Sequence, residues 1–340
     1  MIFIFERKTK MYKIAFDVMG ADHGVAPAVS ASLKFLKDHK DLHLVLVGDA
    51  EKIQQELNGK KYNHDQLSIH ATTEEITMHD GILDVRRKKD SSMVVALDLV
   101  KEKAVDAMMT GGNSAAFIAG SHLMLKEFDG ILRPGFMPTI PTIVNNKTTL
   151  LLDAGANSDN SPEDLLNFAK LATIYLKTVK GIEKPLVGLL NIGTEDHKGT
   201  EIEKETHRLL QSEKSINFYG NIESRDMTTG LVDVIVTDGW SGNIALKSIE
   251  GMAKNLLTEI KASITKGLRK FAALGLKKAF REVGAKFDYK NHAGAILIGV
   301  NGIVFKSHGS SDEKCYLATL RMTFDAVKAD VVNKMKEMIK

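Results

Sequence analysis

Cysteine is almost missing from this chain: Cys315 is the only one in 340 residues. A lone thiol excludes an intramolecular disulfide and any zinc or iron–sulfur centre built on several thiolates, and it suits a reducing cytoplasm. It reads as a buried, inert side chain rather than a nucleophile. No apolar run approaches the ~20 residues that span a bilayer, so the chain does not read as an integral membrane protein. The start, MIFIFERKTKM, is too short and wrongly ordered for a secretory signal, and Met11 stands as an alternative start just before the first clear strand. An excess of charge is missing as well. Lys+Arg 46 against Asp+Glu 43 leaves a net charge of +3, far from the balance of a chain held on nucleic-acid phosphates. Several nucleotide and hydrolase signatures are also absent: no G-x-x-x-x-G-K-[ST] loop, no G-x-G-x-x-G after a strand, and no G-x-S-x-G elbow. His79 and Asp84 make one H-x-x-x-x-D, a glycerol-acyltransferase pattern so short that it reads as chance.

What is present is a globular composition, 44% hydrophobic, enough to bury a large core. The first hundred residues alternate strand and helix: Lys13–Asp17, a helix opened by Pro27, Leu42–Val47, and a helix from Asp49 to Leu57. This rhythm predicts a mostly parallel sheet in a three-layer α/β/α fold. Val105–Met109 is expected to run into Thr110-Gly111-Gly112-Asn113-Ser114 and a small-residue helix, after which Arg133–Pro141 reads as a rigid connection. Further strands are expected at Thr148–Asp153, Leu186–Leu190 and Ile216–Tyr219, several with small polar tips such as Asn191-Ile192-Gly193. Ligands of open α/β sheets bind at the carboxyl ends of strands, so these tips are expected to line one crevice. No repeat or linker is evident, and 12–340 reads as one intertwined catalytic unit after an N-terminal extension, 1–11.

The stretch Val232–Gly251 organises this reading. A β-branched run stops at Thr237-Asp238-Gly239, and Ser241 and Asn243 are placed to cap the helix that follows. Free N–H groups at its start are suited to an anion; a plain βα turn is the equal alternative. The apolar positions Leu246, Ile249, Leu256, Ile260 and Ile264 then recur at helical spacing to about Arg269. Together with a second piece they predict an amphipathic hairpin over 243–286. Phe271, Leu274 and Leu276 form its apolar tip, and Arg269, Lys270, Lys277 and Lys278 surround them. Such a tip suits an anionic membrane surface; a dimer or core helix pair is the alternative. Near the C-terminus, Lys306, Ser307 and His308 on a Gly-bounded turn are placed to bind a phosphate or a thioester oxygen, before a Ser-capped closing helix.

Eight ordered motifs carry a resemblance. They are Asp17-Val-Met-Gly-Ala-Asp22, Arg87-Lys-Lys-Asp-Ser-Ser92, Thr110-Gly-Gly-Asn113, Leu152-Asp-Ala-Gly-Ala-Asn157, Leu190-Asn-Ile-Gly193, Tyr219-Gly-Asn-Ile-Glu223, Thr237-Asp-Gly-Trp-Ser-Gly-Asn243 and Lys306-Ser-His-Gly-Ser-Ser311. In this order they resemble the PlsX-type phosphate acyltransferases over nearly the whole chain. Departures are Gly20-Ala21 for Gly-Gly, Ile82 for a proline, and Asn113-Ser114-Ala115-Ala116 for Asn-Thr-Gly-Ala.

The resemblance implies an isocitrate/isopropylmalate dehydrogenase-like fold and reversible formation of acyl phosphate from acyl-(acyl-carrier-protein) and inorganic phosphate, feeding bacterial phospholipid synthesis. Phosphate is itself the nucleophile, so the protein needs to hold an anion beside a thioester and stabilise an oxyanion, without a cofactor or metal. Asn113, Asp238, Asn243 and His308 are the expected catalytic residues, with Gly111, Gly112, Ser114, Asn191, Gly239, Lys306 and Ser307 at the phosphate. Arg86, Arg87, Lys88 and Lys89 are expected to meet the acidic carrier protein. A homodimer, peripheral contact with the cytoplasmic membrane and a downstream membrane glycerol-3-phosphate acyltransferase complete the expected partners, with no nucleic acid. The alternatives are a phosphate acetyl- or butyryltransferase using coenzyme A thioesters, a non-catalytic scaffold for lipid synthesis on the membrane surface, and a dehydrogenase of the decarboxylating type.

Overall fold

The structure is a computed structural model that describes residues 10–267, 269–287 and 294–339; the side chains of 270–274, 276, 277 and 287 lie outside the description. The chain forms two compact units. The first begins with β1 (Tyr12–Asp17), α1 (Ala26–Asp38), β2 (Leu42–Gly48), α2 (Ala50–Leu57) and β3 (Leu67–Ala71). It continues with α3 (Asp84–Arg87), α4 (Ser92–Lys101), β4 (Ala107–Thr110) and α5 (Ser114–Leu125). The second unit contains β5 (Gly135–Pro141), β6 (Thr148–Leu152), α6 (Pro162–Lys180), β7 (Leu186–Leu190) and α7 (Glu201–Ser212). Then come β8 (Asn217–Ile222), β9 (Val234–Val236), α8 (Gly239–Ile264), α9 (Arg269–Phe287) and β10 (Ala295–Ile298). The chain returns to the first unit for β11 (Ile303–Lys306) and α10 (Glu313–Lys328), and ends in the second with α11 (Val331–Met338).

The strands of the first unit lie in the order β3-β2-β1-β4-β11, all parallel. Every residue of β4 and β11 is buried, as expected of parallel strands covered on both faces by helices. α1 packs with α10 and α4 with α5 to supply that cover. The parallel register puts Asp17, Thr110 and Lys306, the last residues of three neighbouring strands, on one rung. On the rung before it stand Phe16, Met109 and Phe305, all fully buried, and each such side chain contributes about 1.5–3 kcal/mol by leaving water. An apolar rung beneath a polar one anchors the strand ends where chemistry is needed.

The second unit has the strand order β10-β5-β6-β9-β7-β8; β5 runs antiparallel to β10 and β6, and the other pairs are parallel. The expected rigid connection Arg133–Pro141 is thus largely a strand. Its prolines are tolerated because Pro138 ends the ladder to β10 and Pro141 ends the ladder to β6, where a missing N–H costs least. α8 starts at Gly239 with Asp238 as N-cap, so Ser241 and Asn243 lie inside the helix rather than capping it. The helix ends at Ile264, short of Arg269, where α9 begins. α10 is capped by Asp312, whose Oδ1 accepts from Cys315 N at 3.1 Å, and not by a serine. α11 had no counterpart in the sequence reading.

Candidate active site

Thr110 ends β4, and the next three residues turn the chain into α5. Asn113 is the N-cap: its Oδ1 accepts from Ala116 N at 3.1 Å, and its carbonyl takes the first helical bond from Phe117 N. Two first-turn N–H groups, those of Ser114 and Ala115, are used by neither bond, and both residues are exposed. The helix dipole makes this end favourable for an anion. Gly111 and Gly112 are buried, and the space around them is taken. A Cβ on Gly111 would stand 2.3 Å from the Tyr316 hydroxyl, and one on Gly112 would stand 2.9 Å from Met93 Cε. Only glycine lets the turn pass this close to the core.

The Asn113 amide nitrogen donates to the carbonyls of Asp80, Thr77 and Met78 at 3.0, 3.2 and 3.4 Å, tying the 77–80 loop to the mouth of the turn. Asp80 in turn holds Lys88, whose ammonium lies 2.7 Å from Oδ2 and 3.0 Å from the Glu75 carbonyl. That hydrogen bond draws the Asp80 carboxyl below its ordinary pKa and raises the lysine's. Of the four basic residues assigned to the carrier protein, Arg86, Arg87 and Lys89 are exposed, whereas Lys88 is turned inward onto this loop.

The Lys306–His308 turn departs from expectation. Lys306 is buried and donates to the carbonyls of Gly111, at 3.3 Å, and Ser307. It staples two strand ends instead of presenting its charge. The Ser307 hydroxyl sits in a buried network with Ser311 Oγ at 2.7 Å and Thr319 Oγ1 at 3.0 Å, so it is not offered to phosphate. His308 is exposed, and its Nδ1 accepts from Ser310 N at 3.2 Å; the proton of the neutral ring is therefore on Nε2.

In the second unit, Asp153 follows β6 and is wholly buried. Oδ1 accepts from Phe136 N, Gly155 N and Ala156 N at 2.9–3.1 Å, and Oδ2 from Asn157 N and Nδ2 at 2.9 and 2.8 Å. Burial pushes its pKa up, and these donors act the other way. α8 begins against this turn. A Cβ on Gly239 would stand 2.1 Å from the Asn157 carbonyl oxygen and one on Gly242 1.9 Å from that of Asp153, which explains both glycines. Asp238 Oδ1 accepts from Ser241 N at 2.8 Å, and Gly239 N donates to the buried Asn160 Oδ1 at 3.3 Å. Asn243 is exposed beside Gly155. Asn191 is buried and spends its amide on Ile192 N and the Lys198 carbonyl, which makes it a turn former and not a phosphate ligand.

Leu246 and Ile249 pack on the core cluster around Leu151 and Ile235 instead of facing outward. The outward apolar stripe of α8 is Trp240, Ile244, Met252 and Leu256, each more than half exposed, and it borders an apolar groove of about 1220 Å³ that reaches Ile260 and Val283. At the hairpin tip Arg269 and Lys278 are exposed; the side chains of Phe271, Leu274, Leu276, Lys270 and Lys277 lie outside the described residues. Among the described residues no helix is long and apolar enough to cross a membrane.

Asp17, Thr110, Tyr316, Asp153 and Asn160 were not singled out as site residues. For Asp17 and Asp153 a signal existed: each is a lone carboxylate directly after an apolar strand and before glycines. Thr110, Tyr316 and Asn160 owe their places to contacts distant in sequence.

The model of a family described as fatty acid synthesis protein matches residues 12–334. A protein named phosphate acyltransferase from Mesoplasma florum is 58% identical over 328 residues, covering 96% of this chain and 99% of its own. One of the same name from Mycoplasma capricolum is 57% identical, with 96% and 98% covered. Among solved structures, a phosphotransacetylase from Streptococcus pyogenes superposes with a TM-score of 0.59 at 19% identity, over 94% of each chain; at that identity it shows a shared fold.

Proposed function

Because the chain belongs to the fatty acid synthesis protein family, whose nearly full-length relatives here are phosphate acyltransferases, we propose that its reaction is centred on the N-terminus of α5. The chain is an acyltransferase that forms acyl phosphate for phospholipid synthesis. In that reaction a phosphate oxygen attacks the thioester carbonyl carbon, the C–S bond breaks, and the proton of hydrogen phosphate passes to the departing thiolate. Atoms and charge balance without a protein nucleophile. What the protein supplies is an anion seat and donors for the carbonyl oxygen as it becomes negative. The observation that carries the reading is the pair of N–H groups of Ser114 and Ala115, exposed at the mouth of a turn in which Gly112 N, Ala116 N and Phe117 N are engaged by Thr110 and Asn113. His308, whose ring proton is on Nε2, is proposed to donate a hydrogen bond to the departing sulfur as the phosphate proton reaches it.

Ser114→Asp tests the seat. A carboxylate at the first helical position favours the helix, so folding should be preserved, while the KM for phosphate should rise 10-fold or more. An unchanged KM would remove the phosphate from α5.

The proposed donor is an acyl-acyl-carrier protein, supported by the exposed Arg86, Arg87 and Lys89. We propose a homodimer through the α8 stripe at Trp240, Ile244, Met252 and Leu256, and reversible membrane contact through the hairpin tip. Cytoplasmic release of the product beside a membrane glycerol-3-phosphate acyltransferase would protect the labile anhydride from water. Asp238, Gly239 and Asn243 are retained as proposed site residues on the strength of the α8 N-terminus.

A further inference from the structure

Asp17, Thr110 and Lys306 share one rung of three adjacent parallel strands, and none of them is free to touch a substrate. They are joined by a directional chain of hydrogen bonds. Asp17 Oδ2 accepts from Thr110 Oγ1 at 2.7 Å, and the same Oγ1 accepts from Gly112 N at 2.8 Å. Asp17 Oδ1 meanwhile accepts from Met19 N at 3.1 Å. A hydroxyl has one proton, so its direction is decided by which partner must accept it. With Asp17 ionised, Thr110 points its proton at the carboxylate and turns its lone pairs to Gly112. The N–H of Gly112 is then drawn inward, which sets the path of Gly111, Gly112 and Asn113 and hence the direction in which the Ser114 and Ala115 donors face.

From this geometry we infer that Asp17 is a positioning residue for the acyl-transfer reaction, acting through the Thr110 hydroxyl to aim the α5 N-terminus at phosphate. The inference rests on the assignment of that helix end to phosphate. Lys306 makes such an arrangement tolerable for an anionic substrate. Its buried ammonium offsets the Asp17 charge, so phosphate entering the turn does not face an uncompensated carboxylate.

The relay has a protonation limit. Burial raises the Asp17 carboxyl to about 6, against the opposing hydrogen bonds of Ser92, Thr110 and Met19 and the charge of Lys306. Tyr316 on α10 also faces the Asp17 charge, and it has Cys315 and, in the loop after β1, Asp22 beside it; burial holds the tyrosine neutral well above the physiological range. A protonated Asp17 becomes a donor toward Thr110, whose own proton then loses the carboxylate that fixed its direction, so the hold on Gly112 loosens. Asparagine does not rescue this arrangement, because each carboxylate oxygen receives a donor and the amide would put N–H₂ against one of them.

The test compares Thr110→Val, Thr110→Ser, Asp17→Asn and the Asp17→Asn/Thr110→Val double variant in the full-length enzyme. Thr110→Val and Asp17→Asn should each lower kcat/KM for phosphate 10-fold or more, and Thr110→Ser should stay within about threefold of the parent. The double variant should be no worse than its worse single parent, because the two residues act as one unit. The ratio of parent to Thr110→Val rates should fall toward one as pH drops below about 6, a comparison in which the titration of phosphate itself cancels. A ratio flat with pH, additive single effects, or Thr110→Ser as damaged as Thr110→Val would overturn the inference. Should Asp17→Asn fail to fold, the valine and serine variants and their pH ratio decide alone. If Ser114→Asp raises the phosphate KM while Thr110→Val changes nothing, the relay fails and the phosphate seat stands; if Ser114→Asp has no effect, the seat itself falls.

Discussion

Replacing Asn113 by alanine removes two separable things. The first is the α5 N-cap, formed by Oδ1 on Ala116 N, whose loss costs about 1 kcal/mol. The second is the tether from Nδ2 to the 77–80 loop. The amide has two protons for three carbonyls, so it makes about two net hydrogen bonds, each contributing about 1 kcal/mol. The sum, about 3 kcal/mol, corresponds to a fall in Tm of roughly 6–12 °C for a unit of this size. Turnover should fall 10-fold or more, on the order of 1.4 kcal/mol, because the loop and the turn then move independently. Asn113→Asp divides the two effects. It keeps the cap oxygen and adds a charge favourable to the helix dipole by about 0.3–1 kcal/mol, but it loses the tether and places a carboxylate at the phosphate seat. It should therefore melt above Asn113→Ala and show the higher KM for phosphate. Thermal melts followed by circular dichroism, with acyl phosphate formation at varied phosphate, read both quantities. An Asn113→Ala protein that melts with the parent and turns over at the parent's rate would refute the assignment of either role.

Three further outcomes are expected. Charge reversal at Arg87 and Lys89, both exposed, should raise the KM for an acyl-carrier-protein donor, and the parent KM should itself rise with salt; a salt-independent parent KM counts against electrostatic steering. Phe271→Glu/Leu274→Glu should abolish sedimentation with anionic vesicles while soluble turnover persists, and a variant that still sediments would remove the membrane role of the hairpin. Finally, the raised carboxyl of Asp17 binds its proton more tightly folded than unfolded, so it favours the folded state at low pH and that contribution is lost as pH rises from about 4 to about 6. Denaturation at pH 4 and pH 7 should accordingly show Asp17→Asn improving relative to the parent by about 2 kcal/mol at the higher pH; an unchanged gap would mean that Asp17 titrates normally.

Local patterning was enough to read the βαβ rhythm, the strand-to-helix turns after β4 and β9, and the glycines that they need. Each depends on period, capping chemistry and the absence of a Cβ within a few residues. The reading failed where a residue's role is set by a distant partner. Pro138 and Pro141 look like a connection until the ladders that they terminate are known. Leu246 and Ile249 look like interface residues until the second unit's core is seen beneath them.

By itself, then, the sequence determined the α/β class, the glycine-bearing strand-to-helix form of the α5 turn and, through its ordered motifs, the family. Only the tertiary structure decided which polar side chains are spent in holding the turn and which remain to act. Ser307, Lys306, Asn191 and Lys88 all have chemistry suited to a phosphate or an acidic partner, yet each is engaged by neighbouring protein groups. A side chain's composition fixes what it can bond; burial and the register of neighbouring strands fix what it does bond. For Asp17 and Thr110, 93 residues apart, that register is what joins them on one rung.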